Sequence, residues 1–124
     1  MSVATIMVVD DSGFARRVHR RILESAGYAV VEASTGLGAL ETFALERPKC
    51  VLLDLSMEDL GGVDVLKKLR EIEPDVSVIV VSADVQRTTE QMVMQGGAAR
   101  FLGKPVAEAS LVRAVTEVLE ARAV

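Results

Sequence analysis

The sequence has few aromatic residues, which make up 3% of its 124 residues and include no tryptophan. A hydrophobic core must therefore be built from Val, Leu, Ile and Ala side chains. Hydrophobic residues nevertheless account for 50% of the chain and charged residues for 26%, a composition typical of a folded domain and too apolar for a disordered one. The length fits one domain over residues 1–124, with no linker or low-complexity segment to divide it.

The sequence also lacks the features of several other classes of protein. The single cysteine, Cys50, excludes an intramolecular disulfide, and its place in a hydrophobic run indicates an inert core residue in a reducing cytosol. There is no unbroken run of about 18 apolar residues and no basic N-terminal region like that of a signal peptide. The formal net charge of −4 gives no reason to expect nucleic acid as a partner. We therefore expect a cytoplasmic protein without membrane insertion or nucleic-acid binding.

Five short runs rich in β-branched residues alternate with segments of helical periodicity. The runs begin at Thr5, Tyr28, Cys50, Val76 and Ala99. Successive starts lie about 22 to 26 residues apart, which fits a strand, a short loop and a helix of three turns. Two runs, CVLLD and VIVV, are apolar at every or almost every position, which indicates parallel strands covered by helices on both faces. The sequence predicts a doubly wound α/β sheet of five parallel strands.

Polar residues lie at the ends of the predicted strands. Asp10 and Asp11 end the first strand, Asp54 ends the third, Ser82 ends the fourth, and Lys104 follows the fifth. In an open parallel sheet the ligand crevice lies beyond these carboxyl ends. Three crowded carboxylates repel one another unless a positive charge lies between them, and Mg²⁺ prefers carboxylate oxygens and water. The sequence therefore predicts a magnesium site that includes the three aspartates.

Each of these residues also has an ordinary structural explanation. Ser12 or a neighbouring aspartate can cap the helix that begins near Gly13. Asp54, Ser82 or Lys104, taken singly, fits a solvated strand end, a loop hydroxyl or a surface charge. Their occurrence together at four strand ends favours a functional site over coincidence.

Four motifs carry a resemblance to a known family: VVDDS, VLLDLSMEDLGG, VVSAD and GAARFLGKP. Over essentially its whole length the chain resembles the receiver domain of two-component response regulators, and in particular the single-domain, CheY-like regulators. The resemblance implies a flavodoxin-like sheet of strand order 2-1-3-4-5 with five helices. It implies partners of two kinds: a sensor histidine kinase or histidine phosphotransfer domain, and a downstream protein that binds the face of helix four, strand five and helix five.

The resemblance further implies a Mg²⁺-dependent phosphoryl acceptor site. It makes Asp54 the acceptor and Asp11 and Asp54 direct ligands of Mg²⁺. Asp10 acts through water, and the backbone carbonyl of Ser56 completes the protein ligands. Such a domain catalyses its own phosphorylation and dephosphorylation and is not a conventional turnover enzyme.

The resemblance assigns Ser82 to hydrogen-bond the phosphoryl group, Lys104 to pair with it, and Ser82 and Phe101 to form a switch. The sequence departs from the family pattern at several positions. Ser82 and Phe101 stand where Thr and Tyr are common. Glu58 replaces the usual Pro four residues after the acceptor, and Gly61 replaces the usual acid or Asn before the last glycine. We expect an altered loop with the chemistry retained.

Two other classes of protein share part of this pattern. A haloacid dehalogenase-like phosphohydrolase also uses an aspartate nucleophile and Mg²⁺, but it carries a second aspartate two residues later, where this chain has Ser56. A flavodoxin-like electron carrier needs a phosphate-binding loop after strand one and aromatic residues beside the flavin. The sequence DDSGFARR and the low aromatic content argue against it.

The first predicted helix contains the only histidine, and phosphorelays also use phosphohistidine. An apolar stripe at helical spacing consists of Phe14, Ala15, Val18, Ile22 and Ala26. A basic face consists of Arg16, Arg17, Arg20 and Arg21. His19 lies at the margin of the stripe, which predicts a solvated histidine. A phosphorylated histidine is disfavoured, because histidine phosphotransfer domains resemble helical bundles and this chain is predicted to be α/β. The basic face is either a solvated surface or a docking site for an acidic partner.

Overall fold

Five strand and helix pairs follow one another in a computed structural model that describes residues 3–122. The strands are β1 (Thr5–Val9), β2 (Ala29–Ala33), β3 (Cys50–Asp54), β4 (Ser77–Ser82) and β5 (Arg100–Gly103). The helices are α1 (Gly13–Ser25), α2 (Gly36–Glu46), α3 (Gly62–Ile72), α4 (Arg87–Gln95) and α5 (Glu108–Arg122). The predicted succession of strands and helices is confirmed.

All five strands are parallel and lie in the order β2-β1-β3-β4-β5. The chain winds in one direction from β1 to β2 and in the other from β3 to β5, so the winding reverses between β1 and β3. The register pairs Val9 of β1 with Leu53 of β3. Asp10 and Asp54 directly follow this pair, so the predicted doubly wound topology places them side by side at the carboxyl edge of the sheet.

Alternate side chains of the central strands enter two separate cores. Every residue of β3 and β4 is buried, because helices cover both faces of the sheet. The core on one face joins Val51, Leu53, Val78 and Val80 to α2, α3 and α4. The core on the other face joins Cys50, Leu52, Ile79 and Val81 to α1 and α5. This explains why these strands are apolar at consecutive positions.

Three residues with positive φ end helices or follow them. Gly27 (φ 97°) follows α1, and Gly97 (φ 102°) follows α4. Arg47 (φ 45°) ends α2 in the left-handed region, and its amide donates to the carbonyl of Phe43 at 2.9 Å. Glycine relieves the steric cost of this conformation at the first two positions.

Cys50 is fully buried in the core beneath α1 and α5. Burial raises the pKa of its thiol to about 12, so the reactive thiolate is scarce at neutral pH. The prediction of an inert core cysteine is confirmed. Within residues 3–122 no helix combines the length and the apolar character needed to cross a membrane.

The rotation of α1 differs from the prediction. His19 and Leu23 are its buried residues, whereas Phe14 is 70% exposed and Val18 is 37% exposed. Leu23 packs into the core shared with α5, and a residue four positions earlier lies on the same side of the helix. His19 is therefore turned inward, and the prediction of a solvated histidine was wrong.

Candidate functional site

Three carboxylates meet where β1 and β3 end. Asp10, Asp11 and Asp54 each place one carboxylate oxygen within 4.8 Å of the others, so the predicted cluster is present. Asp10 and Asp54 are buried, whereas Asp11 is exposed and opens the cluster to solvent. The all-oxygen donor set fits a hard divalent cation such as Mg²⁺, which retains water in its coordination shell.

Asp10 is held by contacts from three parts of the chain. Its Oδ1 accepts a hydrogen bond from the Ser12 amide at 2.9 Å, and its Oδ2 accepts one from Lys104 Nζ at 2.9 Å. Arg16 Nη1 donates to its backbone carbonyl at 2.6 Å. Ser12 also caps α1 as predicted, because its hydroxyl accepts from the Ala15 amide at 3.2 Å. The β1–α1 connection is thereby fixed beside the carboxylate cluster.

Asp54 lies in an environment that disfavours its charge. Burial and then the negative charge of Asp10 raise the pKa of its carboxyl group, while Lys104 and the Ser56 amide act in the opposite direction. The net rise means that the protein alone does not fully compensate the buried negative charge. A cation bound at the cluster would compensate this negative charge. Both the oxygen donors and the uncompensated charge therefore fit Mg²⁺.

Lys104 is the cation that the protein itself provides. Its Nζ lies 2.9 Å from Asp10 Oδ2 and 3.4 Å from Asp54 Oδ1. Burial lowers the pKa of its ammonium group, but hydrogen bonding and the charges of the two aspartates outweigh burial and leave the pKa above its ordinary value. Lys104 therefore stays protonated at neutral pH and lies between two of the three carboxylates.

Ser82 and Phe101 lie on adjacent strands and share one face of the sheet. The register pairs Ser82 with Gly103 and Val80 with Phe101, so Ser82 and Phe101 are diagonal neighbours. Ser82 is buried, and its hydroxyl oxygen accepts a hydrogen bond from the Asp84 amide at 3.0 Å. Its hydroxyl hydrogen can donate to a further group. Phe101 is half-buried against the core beneath α2, α3 and α4.

The loop from residue 55 to residue 61 carries the departures from the receiver pattern. Glu58 is exposed, and Gly61 precedes α3 without a side chain that could cap the helix. The loop nevertheless closes tightly, because the Gly62 amide donates to the Leu55 carbonyl at 3.3 Å. A Cβ atom at Gly62 would lie 2.5 Å from Leu55 Cα and 3.0 Å from the Asp54 carbonyl oxygen. Glycine is required here for close backbone approach.

The basic face of α1 divides into two parts. Arg16 and Arg20 both donate to the carboxylate of Glu32, at 3.1 and 2.6 Å, and these contacts lower the pKa of Glu32. Arg17 and Arg21 are exposed, and neither forms an ion pair with any residue in the described part of the chain. Sequence reasoning missed Glu32, because its partners lie on another element.

His19 lies close enough to the site for the charges of Asp10 and Lys104 to affect its imidazole. Burial lowers the pKa of its imidazole; Asp10 raises this pKa and Lys104 lowers it. The lowered pKa keeps the ring neutral at neutral pH. His19 therefore belongs to the inner face of α1 and not to the solvated surface that the sequence predicted.

The chain belongs to the response regulator receiver domain family, whose model matches residues 6–116. Chemotaxis protein CheY of Thermotoga maritima is 32% identical over 114 residues, which cover 91% of this chain and 95% of CheY. Polar-differentiation response regulator DivK of Brucella anthropi is 28% identical over 104 residues, covering 82% and 85% of the two chains. A CheY-like receiver domain protein from Methanospirillum hungatei superposes with a TM-score of 0.93 at 26% identity, covering 98% of this chain and 97% of its own.

Family membership confirms the resemblance and the flavodoxin-like fold. Receiver domains are generally not conventional metabolic enzymes, so the match favours a signalling domain over the phosphohydrolase and electron-carrier alternatives. The acidic cluster lies at the edge of the sheet where the sequence predicted it.

Proposed function

We propose that the chain is a receiver domain that accepts a phosphoryl group on Asp54 from a sensor histidine kinase or histidine phosphotransfer domain. The observation that carries the proposal is the position of the Asp54 carboxylate, which is buried beside Asp10 and lies 3.4 Å from Lys104. A buried carboxylate with a raised pKa and an adjacent cation is typical of a group that reacts or binds a cation, and not of a solvated strand end.

The proposed reaction requires positioning and charge compensation more than covalent catalysis. A carboxylate oxygen of Asp54 forms the bond to phosphorus as the phosphorus–nitrogen bond to the donor imidazole breaks. The imidazole leaves with the electron pair of that bond. Lys104 compensates charge on the phosphoryl oxygens, and the Ser82 hydroxyl donates a hydrogen bond to one of them. The product is an acyl phosphate, whose hydrolysis limits the duration of the signal.

Mg²⁺ is the proposed cofactor, held by Asp10, Asp11, Asp54 and the backbone carbonyl of Ser56. When bound it would supply positive charge to the phosphoryl oxygens. Asp11, Asp54 and the Ser56 carbonyl would bind the ion directly. Both oxygens of Asp10 already accept hydrogen bonds from the protein, which supports a role for Asp10 through water.

Labelling with acetyl phosphate tests the proposal. Wild-type protein in Mg²⁺ should acquire an acid-stable, base-labile label, as an acyl phosphate does, and chelation of the metal should prevent it. Asp54→Asn should lose the label, whereas Lys104→Ala should retain part of it, because losing one charge is less severe than losing the nucleophile. Equal labelling of Asp54→Asn and the wild type would assign the acceptor role to another residue.

The phosphodonor is proposed to dock on α1. A groove between α1 and the segment after β5 is lined by residues that include Phe14, Val18 and Lys104. Lys104 forms one side of this groove and contacts Asp54, so a helix seated there would approach the acceptor. Exposed Arg17 and Arg21 lie on the same helix and suit a donor that combines apolar and acidic side chains.

The downstream protein is proposed to bind the face formed by α4, β5 and α5. Met92 and Met94 of α4 are 48% and 41% exposed, and adaptable methionine side chains suit a surface that a partner covers. Neither nucleic acid nor a membrane is proposed as a partner, and the domain is proposed to act in the cytoplasm.

A further inference from the structure

The loop that carries Ser56 is attached to a helix from another part of the fold. Asp59 Oδ1 accepts a hydrogen bond from the Gly36 amide at 2.9 Å, and Oδ2 accepts one from the Leu37 amide at 3.0 Å. These are the first two amides of α2, which have no partner within the helix. The two hydrogen bonds lower the pKa of Asp59, so the carboxylate is ionised at neutral pH.

This attachment is additional to the ordinary cap of α2. Thr35 precedes the helix, and its hydroxyl accepts from the Gly38 amide at 2.9 Å. Asp59 belongs to a different element, 23 residues away from Gly36 in sequence. The adjacent Leu60 also packs there, because a Cβ atom at Gly36 would lie 2.7 Å from Leu60 Cβ. The carboxylate and the leucine thus fasten one point of the loop to α2.

The two ends of the same loop are held together immediately after β3. The Met57 and Gly62 amides both donate to the Leu55 carbonyl, at 3.1 and 3.3 Å. Gly62 packs so closely on Leu55 and Asp54 that a Cβ atom there would overlap the backbone. A shift of the loop near residue 59 therefore reaches the backbone next to Asp54 within a few residues.

We propose that Asp59 is a positioning residue of the phosphorylation site. By anchoring the loop to α2 it holds the Ser56 backbone, whose amide is directed at Asp54 and whose carbonyl is a proposed metal ligand. The loop lacks two features that would restrict its conformation: Glu58 stands where receivers commonly have a proline, and Gly61 has no side chain to cap α3. The contact of Asp59 with α2 restricts the loop instead. This inference rests on the proposed function of Asp54.

Four substitutions separate a positioning role of Asp59 from effects on helix stability and on charge. Asp59→Ala removes the anchor, whereas Thr35→Ala removes a capping hydrogen bond from the same helix and leaves the loop untouched. Glu58→Gln removes one negative charge from the same loop without removing the anchor. Asp59→Asn is the conservative variant, because its amide oxygen still accepts one of the two hydrogen bonds.

Amide hydrogen exchange and Mg²⁺ titration followed by amide shifts are the measurements. In Asp59→Ala we expect exchange about tenfold faster at Gly36 and Gly62 and affinity for Mg²⁺ roughly tenfold weaker, the lower end of the effects seen for groups that orient ligands. Asp59→Asn should lie between this variant and the wild type. Thr35→Ala and Glu58→Gln should bind Mg²⁺ within about twofold of the wild type and keep slow exchange at Gly62.

The positioning role is refuted if Asp59→Ala binds Mg²⁺ as Thr35→Ala does and Gly62 exchange is unchanged. Failure of the proposed function has a different signature, in which wild-type protein and Asp54→Asn bind Mg²⁺ equally or not at all. In that case the exchange rate of Gly62 in Asp59→Ala still decides whether Asp59 holds the loop.

Discussion

At the residue scale, Asp54, the proposed phosphoryl acceptor, lies in an environment that disfavours its charge. Its carboxylate is buried next to the carboxylate of Asp10, and Lys104 compensates the pair only in part, as the raised pKa of Asp54 indicates. A group whose charged form is disfavoured by folding lowers the stability of the protein at neutral pH. If Asp54 is the acceptor, its buried charge lowers the stability of the protein in exchange for function.

We predict that Asp54→Asn is more stable than the wild type at pH 7 without Mg²⁺. The pKa of Asp54 in the folded state is above its ordinary value of 3.8. The destabilising effect of the charge is therefore absent below about pH 3.8 and grows as the pH rises through the folded-state pKa. Urea unfolding at pH 7 and at low pH should show an advantage for the variant that shrinks on acidification.

The exposed member of the same cluster provides the control for this prediction. Asp11→Asn removes an identical charge at an exposed position and should change the free energy of unfolding little. Adding Mg²⁺ should raise the stability of the wild type by preferential binding to the folded state and should have a smaller effect on Asp54→Asn. A variant that is less stable than the wild type at pH 7 would contradict the raised pKa.

At the element scale, α1 uses opposite sides for folding and for proposed recognition. His19 and Leu23 face the core, and Arg16 and Arg20 bind Glu32 of β2. Other side chains of the helix, including those of Phe14, Val18, Arg17 and Arg21, are exposed. Charge reversal at the two paired arginines would damage the fold, so docking has to be tested at the two exposed ones.

We predict that Arg17→Glu/Arg21→Glu slows phosphoryl transfer from the proposed histidine kinase donor about tenfold at low salt, because opposite charges accelerate association. The difference should shrink at high salt, where exposed charges are screened. Labelling by acetyl phosphate should be unchanged, since this small donor needs no docking surface. Stopped-flow or quenched-flow transfer assays at two salt concentrations provide the measurement.

Lys67→Glu/Lys68→Glu is the matched control for docking. It changes the net charge by the same amount on α3, which covers the other face of the sheet. Equal slowing by both pairs would indicate a general effect of net charge. Slower labelling by acetyl phosphate in Arg17→Glu/Arg21→Glu would indicate damage to α1.

The arrangement of the strands could be predicted from the sequence, whereas contacts between distant elements could not. The convergence of Asp10 and Asp54 was predictable, because parallel strands necessarily place their carboxyl ends at one edge of the sheet. The rotation of α1 was not predictable from the sequence. The apolar stripe that contains Phe14 is as hydrophobic as a buried face, but packing against α5 buries the side that carries His19. The contact of Asp59 with α2 had no sequence signal, since it joins a loop to the first turn of a helix that is distant along the chain.

At the scale of the whole molecule, a path of contacts leads from the site to α4. Ser82 accepts a hydrogen bond from the Asp84 amide at the start of the β4–α4 loop, and Asp84 accepts from Thr89 of α4 at 2.8 Å. In the same loop Val85 packs over Gly103, where a Cβ atom would lie 2.7 Å from Val85 Cγ1. Movement of the Ser82 hydroxyl toward a phosphoryl group would therefore disturb both the loop and β5.

The energy available sets a limit on how complete such a switch can be. A change in population from 1:99 to 99:1 requires about 5.5 kcal/mol of differential stabilisation. One hydrogen bond to a charged group supplies roughly 1.5 to 3 kcal/mol, so Ser82 alone falls short. Pairing of Lys104 and further burial of Phe101 must supply the rest, or the switch is partial. A phenylalanine ring turns inward without having to satisfy a buried hydroxyl, which favours some inward population before phosphorylation.

We predict exchange of Phe101 between two positions on the μs to ms timescale in the unphosphorylated protein, measured by relaxation dispersion. A stable phosphoryl mimic at Asp54 should quench this exchange and shift the amide signals of α4. Ser82→Ala should weaken the shift, because it removes the hydroxyl that links the phosphoryl group to the β4–α4 loop. Phe101→Tyr should lower the inward population before phosphorylation, since its hydroxyl would need a partner when buried. Binding of the mimic with unchanged signals from Phe101 and α4 would place the output on another surface.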